Sequence, residues 1–296
     1  MNIKIMRSYV KSLTPKPIRF VVRCVINYFS RLLRWPSILY EIRGVSLVDE
    51  TKLVISFLVS PLLSLKNMYG WQDPQLIFDV TVNVPKIGKF TLRKFSDDLW
   101  HVFPSRERAN VNYILSNLKK DDFFLDAGAN IGFYTVLAAK IVGPKGRVIA
   151  IEMMPDTAEK LRSHLKLNKL DNVTIVQNAL SDKTDQVVIA RTKVGHYGQA
   201  TILNSKTEEF GFSEFKVSTT TLDEITRDIE EVSILKMDLE GAELSAIRGG
   251  ALCLKKVNNI IYESFECANE DQLETALTEF GFSLSRLDGN NKVGMK

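Results

Sequence analysis

Between residues 121 and 287, short apolar runs alternate with stretches of helical period. The apolar runs fall at 122–126, 147–152, 173–178, 186–192, 232–238, 259–264 and near 282–287. The helical patterns fall at 132–142, 155–168, 242–255 and 269–280. This alternation predicts an α/β fold on a doubly wound, mostly parallel sheet, closed by an antiparallel C-terminal edge strand. Ahead of it, residues 77–94 alternate apolar and polar on both sides of Lys86–Lys89, a hairpin signal, and 105–120 have helical period. The expected organisation is a helical extension over 1–75, a hairpin and helix over 76–120, and a ligand-binding core over 121–296.

The first strand–helix junction of the core reads FLDAGANIG over 124–132. In doubly wound sheets, ligands bind beyond the carboxyl ends of the strands. Gly128 and Gly132 let the backbone turn tightly and a ligand approach closely, and free N–H groups at a helix start favour negative charge. The dinucleotide fingerprint G-x-G-x-x-G is not met, because Asn130 holds the third position of that pattern, where glycine is required. Asp126 precedes the turn by two residues. A carboxylate there disfavours a pyrophosphate and favours an ammonium. S-adenosylmethionine carries an ammonium and a carboxylate at its amino-acid end and no phosphate. The spacing therefore predicts Asp126 for the ammonium, with the turn amides around Gly128, Asn130 and Gly132 for the carboxylate.

The next strand, RVIAIE, ends at Glu152, placed to accept both ribose hydroxyls, with Met153 beside it. The third strand runs toward Asn178, whose amide reads the adenine edge or serves only the local turn, with the backbone of Ala179 alongside. An acid in the position of Glu152 also occurs in nicotinamide enzymes, so it supports an adenosine ligand without choosing between the two.

The strand SILKMDLEGAE carries the candidate chemistry. Period 2 puts Lys236 and Asp238 on one side, and Glu240 continues the alternation into the turn. Glu263 ends the following strand. Asp238, Glu240 and Glu263 converge as a base with positioning partners, or as an oxygen-rich Mg²⁺ site. A divalent metal is not predicted as a requirement. Lys236 is placed to hold one carboxylate as a buried pair. The alternative for Asp238 is a turn-capping acid, and capping is the favoured reading of Glu243. His196, in the glycine-flanked loop 194–203, is a base at neutral pH or a surface histidine. Tyr197 beside it is placed to pack on a sugar ring, and His164 reads as a solvated helix residue.

The segments LDAGANIGFYTVLAA, RVIAIEMMPDTAEKLRSHLKLN, QNALSD, TTLDEI and ILKMDLEGAELSAIRGG, in that order, resemble the FkbM family of S-adenosylmethionine-dependent methyltransferases. The likeness spans about 121–285, and KMDLEGAE preceded by TTLDE is its most specific part. It implies a Rossmann-like class I methyltransferase fold and methylation of hydroxyl groups on sugars, glycolipids and polyketides. Met153-Met154 depart from the proline and asparagine usual in the family at these positions.

Charge is distributed unevenly. Residues 1–40 carry Lys4, Arg7, Lys11, Lys16, Arg19, Arg23, Arg31 and Arg34 and no acid, so of the net charge of +4 the remainder of the chain carries −4. Residues 17–34 have helical period, with a basic stripe and a wide apolar face. This suits a peripheral membrane contact, or packing on the protein or a second subunit. The apolar run 53–65 is too short to span a bilayer and contains Pro61, so the expectation is a cytoplasmic protein, peripheral at most. The cysteines Cys24, Cys253 and Cys267 form no C-x-x-C, which argues against a disulfide framework or zinc site. The expected partner is a hydroxylated small-molecule or glycan acceptor. The rival readings are an RNA methyltransferase with a basic arm, which the apolar face of that arm disfavours, a nicotinamide-dependent oxidoreductase, and a scaffold without chemistry. Spacing carries no code for the acceptor's identity or for oligomeric state.

Overall fold

The computed structural model describes residues 25, 29, 32–64, 74–193, 195–203, 212–263 and 270–296. Most of the basic stretch 17–34 lies outside them. Helix α1 covers 32–41 and leads through strand β1 (Arg43–Gly44) into helix α2 (Leu47–Ser64). Helix α2 runs on through Pro61 to Ser64. The hairpin expected around Lys86–Lys89 is β2 (Val80–Val84) and β3 (Gly88–Leu92), and β1 adds to it antiparallel. A short helix α3 (Asp98–His101), a 3₁₀ turn (Pro104–Glu107) and α4 (Arg108–Asn117) connect the hairpin to the core.

The main sheet contains β4 (Phe123–Ala127), β5 (Arg147–Ile151), β6 (Val173–Val176), β11 (Val232–Met237), β12 (Val257–Glu263), β13 (Ser283–Arg286) and β14 (Asn291–Met295). Across the sheet the order is β13-β14-β12-β11-β4-β5-β6. The β6, β5, β4, β11 and β12 pairings are parallel. The order reverses between β4 and β11, so the crevice between their carboxyl ends is the switch point at which such sheets bind ligands. This is the doubly wound, mostly parallel arrangement that the alternation of strands and helices predicts. The antiparallel strand is β14, one place in from the edge, and β13 occupies the edge itself. A C-terminal hairpin therefore replaces the single edge strand expected near 282–287.

Helices α5 (Phe133–Val142) and α6 (Pro155–Asn168) follow β4 and β5. The expected helix over 242–255 is two, α8 (Glu243–Arg248) and α9 (Ala251–Lys256), divided at Gly249–Gly250. A Cβ at Gly249 would sit 2.2 Å from the Ser181 carbonyl oxygen, so the close approach requires glycine. Helix α7 (Leu222–Ile225) starts at Thr221, whose side chain accepts from Glu224 N–H. Helix α10 (Glu270–Glu279) precedes the C-terminal hairpin.

A second sheet departs from the sequence reading. Strands β7 (Ala179–Leu180), β8 (Val187–Lys193), β9 (His196–Leu203) and β10 (Phe212–Thr220) form a separate sheet in the order β7-β10-β8-β9. The run 186–192 thus lies outside the doubly wound sheet, and His196–Leu203 is a strand where a loop was expected. Gly195 at φ +82 makes the β8–β9 turn.

Strand alternation splits the core between the two faces. Phe124 joins a cluster with Val136 and Leu161, whereas Leu125 joins Leu235, Met237 and Tyr262 on the other face. The first cluster also takes in Trp35, Ile38, Leu53, Val82 and Phe90, so the hairpin and both N-terminal helices share the core of the sheet. His164, expected in solvent, is fully buried. Its Nδ1 donates to the Ile131 carbonyl at 2.7 Å and its Nε2 accepts from Thr91 N–H at 3.0 Å, so it fastens the hairpin to the glycine turn. Burial lowers its pKa.

Candidate active site

At the end of β4 the chain turns through Gly128 (φ +83), Asn130 (φ +50) and Gly132 (φ +89). A Cβ at Gly128 would stand 1.8 Å from the carbonyl oxygen of Asp238, so only glycine lets β4 and β11 close at this point. Every N–H of the turn has an internal acceptor. Gly128 and Ala129 donate to the Ile151 carbonyl, and Gly132 donates to that of Ala129. Asn130 donates to the Glu152 carboxylate and Ile131 to the Asn130 side chain. The expected use of these amides for a ligand carboxylate is therefore corrected: the turn is saturated by the end of β5 and by its own residues.

Asp126 also sits elsewhere than expected. It remains inside the ladder, opposite Ala150 on β5 and Lys236 on β11, and is fully buried. One carboxylate oxygen accepts from Thr135 Oγ1 at 2.6 Å, and the other has no hydrogen-bond partner. Burial raises its pKa against the opposing charge of Lys236. It lines neither of the two clefts at the switch point.

The first cleft, about 590 Å³, lies over Gly128, Asn130, Glu152 and Met153, with Asn178 and Ala179 at one end and Asp238 and Glu240 at the other. Its roof is β9, where Gly198, Ala200 and Ile202 face inward at alternate positions with Tyr197 beside them. Glu152 accepts from Asn130 N–H at 2.9 Å and Met154 N–H at 2.8 Å, one bond to each oxygen. A carboxylate takes about four such bonds. Burial pushes the Glu152 pKa up to about 7. The Asn178 amide donates to the Ser218 carbonyl at 3.2 Å.

The second cleft, about 410 Å³, shares Gly128, Asn130 and Asp238 with the first and adds His101, Arg106, Glu107, Tyr134 and Lys236. Lys236 is buried and donates to Asp238 Oδ2 at 3.2 Å, the pairing that the alternation of the strand predicts. Burial disfavours its charge, but Asp238, Asp126 and Glu107 outweigh this and raise its pKa. Asp238 keeps about 26% of its side chain open to solvent. Burial would raise its pKa; the charges of Lys236 and Arg106 and a hydrogen bond from Glu263 lower it instead. Glu263 is pushed up to about 9 by burial and by the charge of Asp238, so the pair holds one proton, on Glu263. Glu240 (φ +51) is raised to about 7 by burial and by Asp238. Glu243 caps the turn, accepting from Leu239 N–H at 2.8 Å.

His196 opens β9, its carbonyl accepts from Thr192 Oγ1, and it lines neither cleft. The histidine at the site is His101, which the sequence reading passed over. Its Nε2 lies 3.3 Å from Asp97 Oδ2, and its Nδ1 is 2.8 Å from Arg106 Nη1. Asp97 in turn accepts from the N–H groups of Tyr197 and Gly198 on β9. Burial would raise the pKa of Asp97, but the His101 and Gly198 hydrogen bonds lower it. The signal in the sequence was density: SDDLWHVFPSRER (96–108) packs Asp97, Asp98, His101, Arg106, Glu107 and Arg108 among aromatic residues.

Residues 126–284 match the profile of the family described as "Methyltransferase FkbM domain". The chain belongs to the FkbM methyltransferase family. This FkbM methyltransferase is 28% identical over 204 residues to methyltransferase sdnD of Sordaria araneosa, covering 59% of this chain and 78% of that one. It is 25% identical over 179 residues to the hexuronic acid methyltransferase AglP of Haloferax volcanii, covering 60% of this chain and 70% of the relative. The solved structure of methyltransferase FkbM from Methylobacillus flagellatus KT is similar at 15% identity and a TM-score of 0.42, over 67% of this chain and 53% of that one.

The protein is thus an S-adenosylmethionine-dependent methyltransferase, and the nicotinamide and scaffold readings fall. The residues present fit that cofactor. Glu152 keeps acceptor capacity for hydroxyl donors, Gly128 lines both clefts, and the second cleft has the mixed charge that an amino-acid zwitterion needs. Among the described residues no group of three or more His, Cys, Asp and Glu has metal-holding geometry.

Proposed function

We propose that this FkbM enzyme is an O-methyltransferase acting on a neutral hydroxyl of a glycan, glycolipid or related small molecule. The observation that carries this reading is the acid set Asp238, Glu240 and Glu263 around the open end of β11. Such a set accepts hydrogen bonds from hydroxyls. The named substrate class of AglP, a hexuronic acid, is a sugar, which supports a glycan acceptor here.

S-adenosylmethionine supplies an activated methyl group on its sulfonium. Glu152 binds the ribose hydroxyls, Met153, Asn178 and Ala179 flank the adenine, and Gly128, Asn130 and Gly132 shape the passage beneath. Asp126 supports the floor from inside the sheet, opposite Lys236. Asp238, held ionised by Lys236, stabilises the positive charge that develops on the acceptor oxygen as it attacks the methyl group in line. Glu263 keeps its proton and donates to Asp238. Glu240, with a pKa near the working pH, takes the hydroxyl proton.

The test is methyl transfer from radiolabelled S-adenosylmethionine to three acceptor pools: neutral oligosaccharides with glycolipids, uronic-acid oligosaccharides, and RNA. Label in the neutral pool supports the reading. Label in the uronic-acid pool supports it equally, and label only in RNA overturns it.

A membrane-facing acceptor has separate support. Residues 1–40 carry eight cations and no acid, and α2 leaves Leu47, Val48, Leu58 and Leu62 exposed. No helix among the described residues is long and apolar enough to cross a membrane. Deleting residues 1–34 is expected to abolish binding to phosphatidylserine vesicles, and unchanged binding contradicts this part.

A further inference from the structure

The glycine turn has no N–H to offer a ligand carboxylate, because all five from Gly128 to Gly132 are bonded within the protein. The carboxylate of the methionine end therefore needs another partner, and charge and topology name one. A ligand with its ribose at Glu152 passes over Gly128 into the second cleft, since Gly128, Asn130 and Asp238 line both. Two cations line that cleft. Lys236 is spent: it is buried, bonds Asp238 and the Gly128 carbonyl, and lies 5.2 Å over the Tyr134 ring. Arg106 keeps about 23% of its side chain exposed.

Arg106 is also held in place before any ligand arrives. An arginine only donates, so the 2.8 Å contact makes His101 Nδ1 the acceptor, and His101 Nε2–H then donates to Asp97. Asp97 is anchored by two backbone N–H groups of β9, the cleft roof. On the other side Arg106 Nη2 lies 2.9 Å from Glu107 Oε1, while the second Glu107 oxygen takes the Tyr134 hydroxyl and the Asn110 amide. These two contacts use two of five guanidinium N–H groups. A Cβ at Gly198 would fall 2.0 Å from His101 Nε2, so the roof residue is glycine where this relay touches it.

We propose that Arg106, oriented by the Asp97–His101 relay, binds the α-carboxylate of S-adenosylmethionine, so that the segment 97–107, outside the family-matched residues 126–284, completes the cofactor site. Arg106 is the binding residue, and His101 and Asp97 are positioning residues. The acid Glu107 in the same cleft suits the neighbouring ammonium. The inference rests on the placement of ribose at Glu152 and adds the opposite end of the same ligand.

The test compares two ligands by calorimetric titration. S-adenosylhomocysteine has the amino-acid end; 5′-methylthioadenosine keeps the adenosine thioether and lacks that end. Arg106→Gln and Arg106→Ala are expected to weaken S-adenosylhomocysteine about 10- to 100-fold, the worth of a charge-assisted bond, and to leave methylthioadenosine within about twofold. His101→Ala is expected to produce the same selective loss at smaller size. Unchanged S-adenosylhomocysteine affinity in both Arg106 variants overturns the proposal, as does equal loss of both ligands. Failure of the unmodified protein to bind methylthioadenosine would instead remove the Glu152 reading beneath it.

Discussion

The two ends of the switch point are built in opposite ways. At the β4 end, every turn amide from Gly128 to Gly132 is matched inside the protein, and Glu152 receives a backbone N–H on each oxygen. At the β11 end, acids crowd together. Asp238 is held charged by Lys236, Glu263 is held protonated at about 9, and Glu240 is left near 7. Saturated backbone gives a rigid floor that a ligand meets unchanged, which serves binding. Carboxylates of separated pKa give one group that stays ionised and another that exchanges a proton, which serves chemistry. On the proposed roles, cofactor recognition and proton handling are separable, although Gly128 and Asp238 touch.

The strongest way to break the comparison is at that contact. Gly128→Ala would force a Cβ onto the Asp238 carbonyl in a left-handed conformation, so both ends should fail together. We expect loss of cofactor binding and of turnover, with destabilisation of about 3 kcal/mol or more in urea unfolding. Normal binding in this variant would mean that the two ends are not locked.

A narrower cut is Glu240→Gln. Turnover at saturating cofactor should fall about 100-fold or more, and the pH–rate profile should lose its rising limb near 7, because only the ionised group accepts a proton. A retained limb would assign it to another group.

The smallest effect lies away from both ends. Because burial lowers the pKa of His164, the unfolded chain binds its proton first, so stability should fall as pH drops below the unperturbed value of 6.5. His164→Ala should cost about 2–3 kcal/mol, the penalty for leaving buried groups unpaired, and should flatten that pH dependence. Equal acid sensitivity in the variant would place the sensing group elsewhere.

The same contrast explains what was legible in the sequence. Strand period located β4, β5, β11 and β12, and alternation along β11 paired Lys236 with Asp238 because both lie on one strand. Period does not tell a ladder residue from a rim residue, so Asp126, two places before the turn, reads as a ligand group while it is fully buried in the ladder between β5 and β11. The roof strand β9 was misread because Gly195 and Gly198 in VGHYGQATIL suggest a loop. Its pairing comes from β8 and its anchoring from Asp97, about a hundred residues away. His101 and Arg106 were missed for the same reason: their meaning depends on Gly128 and Gly198, which only the fold brings beside them.

The most direct test is a crossed pair of variants, each measured for S-adenosylhomocysteine affinity by calorimetry and for single-turnover methyl transfer. Asp238→Asn is expected to reduce transfer about 100-fold or more while affinity stays within about threefold. Glu152→Gln is expected to weaken affinity about tenfold or more and, at saturating cofactor, to leave transfer within about threefold. Parallel loss of affinity and transfer in both variants would contradict the separation of binding from chemistry across the switch point.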